Sequence, residues 1–181
     1  MKTAILGGVF DPPHLGHVAL AEGALRELGA DRLLVLVAAA PAHKPTVLDP
    51  VARLELARLA LGHLPDTEFR LDDHPYTVDY LRDEQPEDAV FVLGADEWAT
   101  LDRWKEPEAV RKLIPIAVAA RPGAPEPRGD VEVFDIDQRA ISSSELRERL
   151  ARGEPVDGLV PVEVAREIER RRLYGRTTGV H

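Results

Sequence analysis

The chain has 181 residues, of which 44% are hydrophobic, and this suits one compact domain with a sizeable core. Its formal net charge of −9 argues against a broad nucleic-acid-binding surface, and the absence of cysteine excludes disulfides, thiolate nucleophiles and cysteine-based zinc sites. We find no signal peptide and no apolar stretch near the roughly 18 residues of a membrane span, so we expect a cytoplasmic protein.

Apolar runs and amphipathic patterns alternate along the chain. They predict strands over residues 3–6, 33–38, 69–71, 89–93, 116–120 and 131–136. They predict helices over residues 15–28, 76–82, 107–113, 142–151 and 162–172, and another that begins at Asp49-Pro50. Strands separated by helices indicate an α/β fold, a Rossmann-like doubly wound parallel sheet in a single domain with C-terminal helices. We expect the domain to cover residues 1–174 and a flexible tail to follow at 175–181.

The first strand runs directly into a glycine turn that precedes two histidines. Gly7 and Gly8 allow a ligand to approach the backbone closely, because neither residue has a Cβ atom. His14 and His17 are three residues apart and share one face at the start of a helix, where free N–H groups attract phosphate. The turn therefore predicts an anion site. A zinc site is the second interpretation, but no third ligand stands nearby in a recognisable pattern.

Two widespread nucleotide-binding motifs, G-x-G-x-x-G and G-x-x-x-x-G-K-[ST], are absent from the sequence. Their absence argues against a Rossmann dehydrogenase and a P-loop NTPase. Ligands of doubly wound sheets bind beyond the carboxyl ends of the strands, so the residues that follow each strand are the candidates. Besides the first turn these are Lys44, Gly94, Asp96 and Arg121.

Two segments resemble signatures of the nucleotidyltransferase superfamily. Residues 8–17, G-V-F-D-P-P-H-L-G-H, resemble its G-x-F-D-P-x-H-x-G-H signature, and residues 141–147, I-S-S-S-E-L-R, resemble its I-S-S-T-x-I-R signature. From the residue types alone, Ser142 and Glu145 form a capping box at a helix start. The serine hydroxyls, the free N–H groups and Arg147 can also hold phosphates there, so both interpretations stay open.

The middle of the chain resembles one branch of that superfamily, the nicotinate mononucleotide adenylyltransferases. The matching segments are P-A-H-K at 41–44, Y-T-V-D at 76–79, G-A-D at 94–96 with Leu101 and Trp104, R-P-G at 121–123, and L-V-P…L-Y ending at Tyr174. The chain departs from the family pattern at Val9, Pro75 and Tyr80. The first change removes a hydroxyl near the phosphates, and the other two flank the expected pyridine pocket.

The resemblance implies transfer of the adenylyl group of ATP, carried with Mg²⁺, to nicotinate mononucleotide, which gives nicotinate adenine dinucleotide and pyrophosphate. These two nucleotides are the implied partners; nucleic acid, a membrane and a protein metal site are not expected, and a homo-oligomer stays open. The implied catalytic residues are His14, His17, Lys44 and Arg147. The implied ATP-binding residues are Gly7, Gly8, Val9, Phe10, Gly16, Gly94, Asp96, Arg121, Ser142, Ser143 and Ser144. The implied nicotinate-nucleotide-binding residues are Tyr76, Thr77 and Trp104.

Two other functions stay open at this point. The phosphopantetheine adenylyltransferases share the first signature, although the Y-T-x-D and L-x-x-W segments argue against them. A nucleotide-binding sensor without catalytic activity is the other alternative, although both histidines, Lys44 and Arg147 are present. Pyrophosphate release measured with different substrates would separate the three functions.

Overall fold

Strands and helices alternate along the chain in a computed structural model, which describes residues 1–42, 44–137 and 140–175. The strands are β1 (Thr3–Gly8), β2 (Arg32–Ala38), β3 (Thr67–Asp72), β4 (Ala89–Gly94), β5 (Ile116–Ala120) and β6 (Glu132–Asp135). The helices are α1 (Leu15–Glu27), α2 (Pro50–Leu61), α3 (Thr77–Glu84), α4 (Ala95–Ala99), α5 (Pro107–Leu113), α6 (Ser143–Ala151) and α7 (Val162–Arg171). A 3₁₀ turn covers Leu101–Arg103. Within the described ranges, no helix is long and apolar enough to cross a membrane.

The six strands are parallel and form one sheet in the order β3-β2-β1-β4-β5-β6. β1 pairs with β2 on one side, from Thr3 opposite Arg32 to Gly8 opposite Val37, and with β4 on the other side. The strand order therefore reverses between β1 and β4, and a ligand crevice opens beyond the carboxyl ends of the strands at such a reversal. The predicted α/β fold with a doubly wound parallel sheet is confirmed.

Side chains that alternate along the central strands fill two cores, one on each face of the sheet. Ala4, Leu6 and Leu33 lie in one core with residues of α1, α2, α6 and α7. Ile5 and Leu34 lie in the other core with residues of α3 and α5. Because both faces are covered, the central strands are continuous apolar runs, which is why they could be predicted.

The capping residues in the sequence correctly predicted the start of α2 and the end of α1, whereas other boundaries were not predicted. Asp49 Oδ1 accepts a hydrogen bond from the backbone N–H of Ala52 at 2.9 Å, and Pro50 is the first residue of α2. Gly29, which follows α1, has a φ of +60°, a conformation that glycine adopts without strain. β3 is longer than the predicted residues 69–71. The prediction was too short because this edge strand alternates between exposed and partly buried residues and lacks an apolar run. The five-residue helix α4 was not predicted, since it is too short to show a helical period.

The last described residues pack against the same sheet as the rest of the chain. Tyr174 is buried in the first core, beside residues of α7. Of the tail that the sequence predicts after it, only Gly175 is described, and residues 176–181 lie outside the described residues. His43, in the predicted loop at 41–44, is also outside them.

Candidate active site

The crevice beyond β1 and β4 holds a cavity of about 420 Å³. It is lined by every residue that the resemblance implied for catalysis or for ATP: His14, His17, Lys44, Arg147, Gly7, Gly8, Val9, Phe10, Gly16, Gly94, Asp96, Arg121, Ser142, Ser143 and Ser144. These residues come from the turn after β1, the starts of α1, α4 and α6, and the segments that follow β2 and β5. The topology thus brings distant segments to one place, as expected for the carboxyl edge of a parallel sheet.

The two glycines at the end of β1 make room for aromatic rings. A Cβ atom at Gly7 would lie 3.0 Å from Cζ of Phe91, and one at Gly8 would lie 2.9 Å from Cε2 of Phe10. The distance at Gly7 is tighter than most real Cβ contacts, and the distance at Gly8 is shorter than real Cβ atoms show, so any side chain at Gly8 would displace the ring. The sequence analysis predicted that these glycines let a ligand approach the backbone. The structure adds a packing role for them.

His14 and His17 lie together at the start of α1, as their spacing predicts. Their ring centroids are 3.8 Å apart, and the ring of His17 also contacts Phe10 at 4.7 Å. The backbone N–H of His14 donates to Nδ1 of His17 at 3.1 Å, so a neutral His17 carries its proton on Nε2. Nδ1 of His14 is buried without a hydrogen-bond partner among the described residues. A proton on Nε2 suits this ring too, because a buried N–H without an acceptor costs free energy.

Both imidazoles are neutral at pH 7. Burial lowers the pKa of His14 from its ordinary value to about 4. Burial also lowers the pKa of His17 well below its ordinary value, and electrostatic interactions with His14 and Lys44 act in the same direction as it titrates. The pair therefore offers neutral N–H dipoles, and not positive charges, to an anion.

The free energy of unfolding should fall as the pH falls from about 6.5 to about 4, because His14 is buried as the neutral form. In that range the unfolded chain binds a proton at this residue, whereas the folded chain does not. The loss through His14 should reach about 3 kcal/mol at pH 4. Urea unfolding at neutral and acidic pH should show a shallower loss in a His14→Gln variant. Equal losses in the two proteins would contradict burial of a neutral His14.

Side chains at the start of α6 are tied to the backbone of the first turn. Ser143 Oγ donates to the carbonyl oxygen of Pro12 at 2.9 Å. The guanidinium of Arg147 donates to the carbonyl oxygen of Asp11 at 2.7 Å and to Oγ of Ser144 at 3.1 Å. The two signatures therefore form one structural unit, with the serine-rich helix start and the histidines on the same cavity.

The capping box predicted for Ser142 and Glu145 is wrong. Ser142 is the N-cap residue of α6, but its hydroxyl makes no capping hydrogen bond. The Glu145 carboxylate lies 3.9 Å from the guanidinium of Arg149, one turn along the helix. Ser142 lines the cavity, so the N-cap residue of this helix is available to a ligand.

A carboxylate that was not among the sequence predictions lies beside Lys44. Glu97 Oε1 is 3.9 Å from Lys44 Nζ, and Glu97 Oε2 accepts a hydrogen bond from the backbone N–H of Gly94 at 3.2 Å. Burial raises the pKa of Glu97, and the charge of Lys44 and the Gly94 N–H oppose this. The sequence did contain a signal for Glu97, because a glutamate three residues after Gly94 can cap a helix start.

Asp96 and Arg121, which line the same cavity, form an ion pair at 2.6 Å.

A second cavity, of about 610 Å³, adjoins the first. It is lined by the residues that the resemblance implied for the nicotinate nucleotide: Tyr76, Thr77 and Trp104. Tyr76 is the N-cap of α3 and Thr77 is its first residue, so the free N–H groups of this helix start lie at the cavity. Both cavities are lined by Gly7, Gly8, Val9, Lys44 and Glu97. Ligands in the two cavities would therefore meet at this shared wall.

The chain matches related proteins over most of its length. The cytidylyltransferase-like family model matches residues 5–149. A probable nicotinate-nucleotide adenylyltransferase from Thermus thermophilus is 39% identical, over 96% of this chain and 100% of its own length. Another, from Exiguobacterium sibiricum, is 38% identical, over 96% of this chain and 99% of its own length. The chain belongs to the nicotinate-nucleotide adenylyltransferase family.

Solved structures of this adenylyltransferase family have the same fold. The Plasmodium falciparum nicotinic acid mononucleotide adenylyltransferase complexed with NaAD has a TM-score of 0.80 at 17% identity, covering 96% of this chain and 98% of its own. The same enzyme complexed with APC has a TM-score of 0.75 at 16% identity, covering 96% of both chains. At these identities the likeness supports the fold, and the roles of single residues have to be argued from this chain.

A buried aspartate joins three parts of the site and was not among the predicted site residues. Asp11 Oδ1 accepts a hydrogen bond from the phenol of Tyr174 at 2.6 Å, and Oδ2 accepts one from the backbone N–H of Val47 at 2.6 Å. Burial and the contact with Asp11 raise the pKa of Tyr174, so the phenol stays protonated and donates. The aspartate thus connects the first turn, the loop that carries Lys44 and the C-terminal segment.

A buried arginine was also absent from the sequence predictions. Arg53 in α2 is fully buried, and its guanidinium donates to the carbonyl oxygens of Val9 at 2.9 Å, Ala38 at 2.6 Å, Ala39 at 2.9 Å and Leu48 at 3.2 Å. Its position in α2 gave no signal, because an arginine in an amphipathic helix usually faces solvent. Val9 is therefore used through its backbone carbonyl, and nothing in the structure explains its valine side chain.

Proposed function

We propose that this protein transfers the adenylyl group of ATP to nicotinate mononucleotide, giving nicotinate adenine dinucleotide and pyrophosphate, a step of NAD biosynthesis. The observation that carries the proposal is the pair of adjoining cavities with a shared wall. The reaction joins two nucleotides through a phosphate, so it requires two binding sites that meet. The names of the related proteins, over nearly the whole chain, support this substrate pair.

The reaction needs positioning and charge stabilisation more than proton transfer. A phosphate oxygen of nicotinate mononucleotide attacks the α-phosphorus of ATP, and the bond to the bridging oxygen of pyrophosphate breaks. The attacking oxygen is already ionised at pH 7, so no general base and no covalent intermediate are required. Catalysis then depends on in-line geometry and on donors aimed at the transferring phosphate.

We assign those donors to side chains of the first cavity. The neutral Nε2–H groups of His14 and His17 would contact the phosphates, with His17 nearest the transferring group. Lys44 and Arg147 would hold the departing pyrophosphate together with the start of α6, where charged side chains and free N–H groups combine. The helix start after Gly94 and the Asp96–Arg121 pair would bind the remainder of ATP.

Mg²⁺ fits this site as a complex with ATP. Among the described residues, no three His, Asp or Glu side chains are grouped as ligands for a metal ion. Two carboxylates of the first cavity are engaged, Asp11 by hydrogen bonds and Asp96 by the ion pair with Arg121. The phosphate oxygens are then the ligands that Mg²⁺ prefers, and the ion reduces their negative charge. We propose that the metal enters and leaves with the nucleotides.

Trp104→Ala should raise the KM for nicotinate mononucleotide by about tenfold and the KM for ATP much less. The ring lines the second cavity, where a flat aromatic face can stack on the pyridine. Trp98→Ala is the matched control. Trp98 lies against Arg111 and donates to the carbonyl oxygen of Arg128, outside both cavities. Steady-state kinetics with each substrate varied measure this difference, and equal increases in both KM values would argue against stacking.

Pyrophosphate release from ATP tests the proposed function directly. We expect turnover with nicotinate mononucleotide, and nicotinamide mononucleotide assayed beside it gives the preference between acid and amide. Turnover with phosphopantetheine in place of the pyridine nucleotide would assign the chain to a different adenylyl transfer. ATP binding without pyrophosphate release, whatever the second substrate, would indicate a nucleotide-binding sensor.

A further inference from the structure

The segment between β3 and α3 is held by a histidine that lies between two carboxylates. Nδ1 of His74 is 2.6 Å from Oδ1 of Asp72, and Nε2 of His74 is 3.1 Å from Oδ2 of Asp83. The backbone N–H of His74 also donates to Oδ1 of Asp72, at 3.1 Å. Asp72 is the last residue of β3 and Asp83 belongs to α3, so the imidazole ring links the two elements.

This link supports one corner of the second cavity. Asp72, His74 and residues 75–77 line that cavity. We propose that His74, as an imidazolium, is a positioning residue that fixes this corner for the pyridine nucleotide. The inference rests on the proposed function, because it assumes that Tyr76 and Thr77 contact nicotinate mononucleotide.

The geometry favours the protonated ring. Both ring nitrogens face carboxylate oxygens, which accept hydrogen bonds, and only the imidazolium form of histidine has two N–H donors. The hydrogen bond with Asp72 is the main cause that raises the pKa of His74. Desolvation opposes it, and the hydrogen bond with Asp83 adds to it, so the ring is protonated at a higher pH than an isolated histidine.

The remaining groups around the ring do not replace its charge. Tyr80 of α3 meets the ring edge-on at a centroid distance of 5.8 Å, and burial raises its pKa, so it is neutral near pH 7. Arg70, which lies near Tyr80, is paired with Glu84 at 3.0 Å. As the pH rises through the pKa of His74, the ring therefore loses one N–H donor. One link is then broken, and the two carboxylates repel each other.

The pH dependence of the KM for nicotinate mononucleotide tests the proposal. His74→Gln supplies a side chain that does not titrate and that can donate to one carboxylate only. At about pH 6.5 we expect the KM of the variant to exceed that of the wild type by about threefold to tenfold. The ratio should fall towards 1 as the pH rises above the pKa of His74, because the wild-type ring is then neutral, while the KM for ATP changes far less. A ratio that stays constant with pH would overturn the proposal.

A second variant separates positioning from a purely structural role. Asp83→Asn keeps an acceptor but removes a charge, so it should lower the pKa of His74, and NMR of the ring should show a titration at lower pH. The rise in the KM should move to lower pH with it. His63→Gln is the matched control, because His63 pairs with Glu22 at 3.6 Å and lines neither cavity. A shifted NMR titration with an unshifted KM profile would refute the positioning role.

Failure of this inference differs in outcome from failure of the proposed function. If the proposed function is wrong, the wild type consumes no nicotinate mononucleotide at any pH, although the ring of His74 still titrates above its ordinary pKa. If the inference alone is wrong, the wild type turns over this substrate, and the KM ratio between His74→Gln and wild type is independent of pH.

Discussion

His17→Ala should lower kcat by a factor of about 100 to 1,000 and leave the fold intact. The ring lies in the first cavity between Phe10 and His14, at centroid distances of 4.7 and 3.8 Å. Its neutral Nε2–H is the donor that we assign to the transferring phosphate. A donor aimed at charge that develops during the reaction stabilises the transition state more than the ground state. Steady-state pyrophosphate release should therefore show a larger fall in kcat than rise in KM.

Two further variants make the His17 result interpretable. His63→Ala removes an exposed histidine that lines neither cavity, and its kcat should equal that of the wild type. His17→Gln keeps a neutral N–H donor and should recover part of the lost activity. Near-normal turnover in His17→Ala, with an unchanged circular dichroism spectrum, would remove His17 from the mechanism. A wild-type kcat that falls as the pH rises, with a midpoint near pH 6.5, would show that the charged imidazolium acts. That result would contradict the lowered pKa of His17.

The location of the first cavity could be predicted because its residues follow strand ends. A parallel sheet brings the carboxyl ends of all its strands to one edge, so chain position alone places Lys44, Gly94 and Arg121 beside the first turn. The apolar runs that define the central strands result from the same architecture, since both faces of the sheet are covered. The edge strand β3 and the short helix α4 lack these patterns, and their bounds could not be predicted.

The hydrogen bonds within the site could not be predicted, because their partners are far apart in the sequence. Ser143 and Pro12 are separated by 131 positions, and Tyr174 and Asp11 by 163. A local rule gave the wrong result at Ser142, whose hydroxyl does not cap its helix. The ionisation of the two histidines depends on burial, which their spacing does not report. Spacing placed these residues correctly and gave no information on their charge.

Arg53→Met should lower the free energy of unfolding by about 3 to 5 kcal/mol. The fully buried guanidinium donates to four carbonyl oxygens, which lie at the ends of β1 and β2 and before α2. Methionine can fill a similar volume, but it removes the donors to these carbonyls and one of the positive charges near the buried Asp11 carboxylate. Urea unfolding at pH 7 measures the difference.

Arg58→Met is the matched control on the same helix. Arg58 is exposed and lies over the ring of Phe69 at 5.2 Å, so its loss should cost less than about 1 kcal/mol. Similar costs for both variants would show that water or a backbone shift can satisfy the carbonyls next to Arg53. A large difference would explain why a charged residue is buried here.

At the carboxyl ends of β1 and β2 the strand ladder stops, and the carbonyls of Val9 and Ala38 need donors that do not fill the ligand crevice. Arg53 provides these donors from α2, so it stabilises the strand ends and leaves the crevice open.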